Sequence, residues 1–138
     1  MNISVSSILL YSIVGAFILV YLPFLVVAYY RFQGGEQMLR TPRTTADKLP
    51  EIAQRATAAH QNSLEAFAFF TAAALMAYVT GVDSIAALGA AIAFLAARLF
   101  YSIFYIANIA VARSLMFAIG SLSIFTLFGL SLLANSQV

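Results

Sequence analysis

Residues 51–80, EIAQRATAAHQNSLEAFAFFTAAALMAYVT, decide the fold. The first half carries Arg55, His60, Gln61, Asn62 and Glu65, and the second half, from Ala66 to Val79, has no charged side chain. At 1.5 Å rise per residue such a stretch is long enough to cross a bilayer as a helix. A charge at membrane depth costs roughly 2.5–3.5 kcal/mol on insertion scales, so Arg55 and Glu65 are expected to face protein rather than lipid.

The same pattern governs the rest of the chain. Of its 138 residues 63% are hydrophobic and 9% charged, against about 25% charged in an average soluble domain. This composition predicts an all-α integral membrane protein of four transmembrane helices in one domain spanning 1–138, with no separate extramembrane domain. The net charge of +2 comes from seven scattered basic residues, which form no polybasic tract, so no nucleic-acid partner is expected. With no cysteine, the chain has no disulfide, thiolate metal site or redox dithiol of its own. Met1 to Tyr30 lacks charge altogether, unlike the basic start of a secretory signal, and is read as a retained first helix.

The four helices are placed at about 6–30, 51–80, 84–108 and 113–133. Pro23 is expected to kink the first, and Tyr29, Tyr30 and Arg31 mark its headgroup boundary. Arg31 to Pro50, with Gly34, Gly35, Pro42 and several charges, is the main polar loop. Gly81 to Asp83 is a tight turn, with Asp83 or Ser84 capping the third helix. Lys and Arg concentrate in the first loop, and Arg113 opens the fourth helix. The positive-inside rule therefore puts loops one and three in the cytoplasm and both termini outside. Ala72, Ala73, Ala74, Ala86, Ala87, Gly89, Ala90 and Ala91 allow two readings: close helix packing in lipid, or simple helix propensity.

At about 100° per residue, Arg55, Asn62 and Glu65 share one helix face, and Arg98, Tyr101, Tyr105 and Asn108 form a stripe on the next helix. The short turn between these helices brings the stripes to one membrane level, where Arg113 and Ser114 also enter. Guanidinium, carboxylate, amide and phenol groups so gathered suit a small anion held at several points. The alternative is a structural network in which Glu65 pairs with Arg55 or Arg98. His60, the lone histidine, lacks partners for metal or acid–base work, so a supporting role at the interface and no metal site are expected. A transporter fits poorly, because no internal repeat is visible.

Arg55-Ala-Thr-Ala-Ala-His60-Gln61-Asn62-Ser63-Leu64-Glu65, with Arg98, Tyr101, Tyr105, Arg113 and Ser114 downstream, resembles the pattern of the MAPEG family, membrane-associated proteins in eicosanoid and glutathione metabolism. The resemblance implies a homotrimer of four-helix subunits in contact with membrane lipids. Glutathione would be the co-substrate and a hydrophobic small molecule, an electrophile or lipid hydroperoxide, its partner in a transferase or peroxidase reaction. By the same resemblance Arg55, Asn62, Glu65, Arg98, Tyr101 and Tyr105 would hold glutathione, while Arg113 and Ser114 would stabilise its thiolate. Glutathione-using relatives commonly have a second arginine where this chain has Ala58, some have a basic residue at Gln61, and some a tyrosine at Phe117. Those departures keep open a non-catalytic member that binds lipid or a partner subunit.

Overall fold

The computed structural model describes residues 4–136. Four long helices, α1 (Val5–Gln33), α3 (Glu51–Val79), α4 (Ile85–Ile106) and α5 (Ala110–Asn135), are each long and apolar enough to cross a membrane. The first loop is more ordered than its Gly and Pro content suggests: it contains the five-residue α2 (Glu36–Arg40) and a single 3-10 turn at Ala46–Lys48. Gly35 enters α2 at φ 82°, a conformation that glycine reaches without strain. Arg31 Nη2 donates to the Pro42 carbonyl at 3.4 Å, and Gln54 Nε2 donates to the carbonyls of Asp47 and Leu49, which ties the loop to both flanking helices.

Each remaining turn is set by one residue with positive φ. Thr80 caps α3, and Gly81 (φ 68°) lets the Gly81 N–H reach the Tyr78 carbonyl and the Val82 N–H reach that of Ala77. At the end of α4, Asn108 (φ 60°) does the same, its N–H bonding to Tyr105 and that of Ile109 to Phe104. These are Schellman motifs, which satisfy carbonyls a helix end otherwise leaves bare. Asn108 is thus a turn residue and not the last member of the α4 stripe. That helix stops at Ile106, and α5 begins at Ala110, three residues earlier than expected. Ser84 caps α4 by accepting from the Ala87 N–H at 3.2 Å. Helix α1 runs through Pro23 without interruption.

Helix α1 packs mainly on α3 and α5 mainly on α4, while α1–α4, α3–α5 and α3–α4 contacts close the bundle. At the centre Phe70 of α3 stacks on Phe94 of α4, rings 3.9 Å apart and 3° from parallel. Around this pair Ala73, Ala74, Ala77, Ala87 and Ala91 are fully buried, with Leu9, Ala16, Ile124 and Leu127 filling the remaining space. Ala72, Ala86 and Gly89 face outward instead, so only part of the alanine content serves close packing. Replacing Phe70 with alanine is expected to lower stability by about 3–5 kcal/mol and Phe70→Leu by less, measured as reversible unfolding in mixed micelles.

Candidate functional site

Arg98 is the most enclosed charge in the molecule. Four per cent exposed, it projects from the middle of α4 towards α3, where Nη2 donates to Asn62 Oδ1 at 3.0 Å and Ser63 Oγ at 3.1 Å. Its guanidinium carbon lies 4.0 Å from the centre of the Tyr101 ring, one helical turn away and itself buried. A guanidinium removed from water needs its donors satisfied and its charge faced by negative potential, and here only neutral oxygens and an aromatic face supply these. No carboxylate among the described residues shares the charge. Among the described residues the ion pairs are Arg40–Glu36 and Arg55–Glu51, both i, i+4 pairs with exposed acids. The expected alternative in which Glu65 pairs with Arg55 or Arg98 is therefore corrected: Glu65 is exposed and makes no ion pair.

Glu65 nevertheless belongs with Arg98. Both line a groove of about 390 Å³ between α3 and α5, floored by α4. Asn62, Glu65, Arg98 and Ser121 supply its polar part, and Phe69, Phe94, Phe117, Ile124, Phe125 and Phe128 its apolar walls. The wall residues follow helical spacing: Phe117, Ser121, Phe125 and Phe128 on α5, and Asn62, Glu65, Ala66 and Phe69 on α3. Sequence reading singled out the charged members and passed over the phenylalanine stripe on α5. Its signal, apolar side chains at i, i+8 and i+11, is shared with any lipid-facing helix surface. Ser63 also went unnoticed, since one hydroxyl in an apolar helix usually bonds its own backbone.

A second cluster lies towards the α4–α5 turn. Tyr101 and Tyr105 meet edge to face at 5.6 Å, and Arg113, in the first turn of α5, covers the Tyr105 ring at 4.5 Å. The two arginines are thus joined through two tyrosines, with Phe117 6.4 Å from Tyr101 and lining the groove. Arg113 and Ser114 do not themselves line it. Ser114 is exposed, with no side-chain hydrogen bond among the described residues.

Arg55 stands apart from both clusters. Its Nε donates to the Ile106 carbonyl at 3.0 Å, at the C-terminus of α4, where the bare carbonyls and the helix dipole favour a cation. It joins the start of α3 to the end of α4 and does not line the groove that holds Glu65. His60, whose ring lies 5.1 Å from that of Phe24, donates from Nδ1 to the Val20 carbonyl at 2.8 Å. Because a carbonyl can only accept, the Nδ1 atom must carry the proton.

The MAPEG family model matches residues 8–133 of the chain. No curated protein and no solved structure matches it.

Loss of the Ser63 hydroxyl leaves a charged donor short of one acceptor. Ser63→Ala is expected to destabilise the subunit by about 1.5–3 kcal/mol, whereas Ser114→Ala leaves unfolding unchanged within error, both read from denaturant titrations.

Proposed function

The chain belongs to the MAPEG family, which covers glutathione-dependent transferases and peroxidases as well as non-catalytic members, and from that premise we propose that it is a membrane-bound glutathione transferase or peroxidase acting on hydrophobic electrophiles or lipid hydroperoxides. Family and helices together make it an integral membrane protein. The observation that carries the enzymatic reading is the groove in which Glu65 and Arg98 stand with opposite charge and no bond between them. A peptide thiol with a free ammonium and carboxylates complements that pair: Glu65 takes the ammonium, and Arg98, steadied by Asn62, faces a carboxylate.

Arg113 is assigned to the sulfur. The thiolate is the reactive species, and a nearby guanidinium favours it, drawing a thiol pKa from about 8.5 towards neutrality. Its place in the first turn of α5 adds the positive end of a helix dipole. In conjugation the thiolate attacks an electrophilic carbon and a carbon–sulfur bond forms as the leaving group departs. In peroxide reduction it attacks the terminal oxygen, releasing an alcohol and a sulfenic acid that a second glutathione converts to disulfide and water. The phenylalanine walls accept the apolar co-substrate from the bilayer. Because the groove opens on the outside of the subunit, a homotrimer in which a neighbouring copy covers it is part of the proposal, as are cytoplasmic first and third loops with both termini outside.

The rival reading is a non-catalytic family member that binds lipid. It is favoured by Phe117, whose ring stands beside Tyr101 where some relatives present a phenol, and by Ala58, which supplies no second arginine. Calorimetric unfolding separates the two. At glutathione a hundredfold above its dissociation constant, stabilisation of about 2.7 kcal/mol is expected, diminished in Glu65→Gln. Arg113→Ala should retain the fold and lose thiolate absorbance with bound glutathione. No stabilisation, together with no turnover of generic electrophiles or lipid hydroperoxides, would establish the rival.

A further inference from the structure

The side of Arg98 away from the groove meets α1 at an unusual point. A second, much smaller pocket of about 10 Å³ lies between α1, α3 and α4, lined by Ala16, Leu19, Val20, Ser63, Phe67, Phe94 and Arg98. Apart from Leu19 and Phe67, none of these residues is more than 5% exposed. The volume is near the lower limit for holding one water molecule. Such a site also needs two or more polar partners, and three residues on its wall offer one each.

The first is Arg98, 4% exposed, whose Nε is buried with no hydrogen-bonding protein partner, since the bonds to Asn62 and Ser63 both come from Nη2. The second is the hydroxyl of Ser63, which already accepts from Arg98 and keeps a proton to donate. The third is backbone. Pro23 has no N–H, so the carbonyl of Leu19, four residues earlier and on the pocket wall, has no i+4 donor. The next carbonyl, of Val20, is turned towards α3 strongly enough to receive His60 Nδ1 at 2.8 Å. The turn of α1 before Pro23 thus has one carbonyl engaged by a neighbouring helix and another without its helical donor, on the wall of the pocket that Arg98 also lines.

We propose that this pocket is a binding site for a single structural water that accepts from Arg98 Nε and donates to the Leu19 carbonyl, so that Pro23 serves to position the Arg98 guanidinium. Pro23 and His60 then act together: His60 takes the Val20 carbonyl, and the water takes that of Leu19. The arrangement lets an arginine sit at membrane depth with its Nε satisfied and no acid beside it, leaving the rest of the guanidinium for the groove.

Two measurements on the full chain in lipid nanodiscs test this. A structure resolving ordered solvent should show one density peak within hydrogen-bond distance of both Arg98 Nε and the Leu19 oxygen; an empty pocket, or Nε bonded directly to that oxygen, overturns the proposal. Solid-state NMR on protein carrying carbonyl-labelled leucine and nitrogen-labelled valine selects Leu19–Val20 and, as an internal reference, Leu25–Val26, the two Leu-Val pairs in the chain. Magnetisation from water should reach the Leu19 carbonyl and not that of Leu25, and Pro23→Ala, which restores the helical donor, should abolish the transfer. Equal transfer to both sites, none to either, or transfer that persists in Pro23→Ala refutes it.

Discussion

A guanidinium held inside the bundle by neutral partners is the constraint from which the rest of the structure follows. Leaving an arginine at bilayer depth costs several kcal/mol unless its donors are met, and Arg98 meets two acceptors on α3 and one aromatic face on α4. Hydrogen bonds to a charged group contribute roughly 1.5–3 kcal/mol each, and a desolvated cation–π contact about 2, which together exceed the roughly 2.5–3.5 kcal/mol cost on insertion scales. The balance holds only at one register. Sliding α3 by a single turn would withdraw Asn62 and Ser63 and present Phe67 or Ala59 to the charge. The Phe70–Phe94 stack, one turn along α4 from Arg98, reinforces that register through packing alone.

What keeps the two helices at the required level lies at their ends. The left-handed residues Gly81 and Asn108 close α3 and α4 by the same motif, one at each side of the bundle. Arg55 then fastens the beginning of α3 to the final carbonyls of α4. With both ends fixed, the distance from the Arg55 bond to the Arg98 bond is set by the rise of α3 over Arg55 to Asn62, about 10 Å at 1.5 Å per residue. Whatever else it binds, Arg55 thus acts as a spacer between the turn and the buried charge.

Much of this was legible in the sequence, for reasons that can be named. Four apolar stretches, the cap at Ser84, the turn at Gly81 and the shared face of Asn62 and Glu65 rest on local periodicity or local backbone chemistry, which the sequence states directly. The α4 stripe was correct as far as Tyr105 and failed at Asn108, because an asparagine ending a helix in the left-handed region reads in sequence like one more polar side chain on its face. The bond from Arg55 to α4 was hidden for a different reason. Its acceptor is a backbone carbonyl 51 positions along the chain, and carbonyls leave no mark in a sequence. The short α2 has too few turns to show any period. Likewise the groove's phenylalanines are indistinguishable from lipid-facing ones until the helix opposite is in place.

The dimensions of that groove bear on what it accommodates. From Phe117 to Phe128 the α5 wall spans eleven residues, about 16 Å of helix, or roughly half the hydrocarbon thickness of a bilayer. All its charged members, Arg98 and Glu65, sit at the Phe117 end; the Phe128 end is apolar. A rigid polar ligand would leave that apolar length unused, and a plain acyl chain would leave Glu65 unmatched. A pair of ligands, one polar and charged on both signs, the other apolar and entering from the membrane, matches both halves at once. At its charged end the groove reaches, through Phe117, the tyrosines that connect Arg98 to Arg113. Under the proposed function a phenyl ring at position 117 has no proton to give, so the negative charge of the sulfur would rest on Arg113 and the N-terminal end of α5.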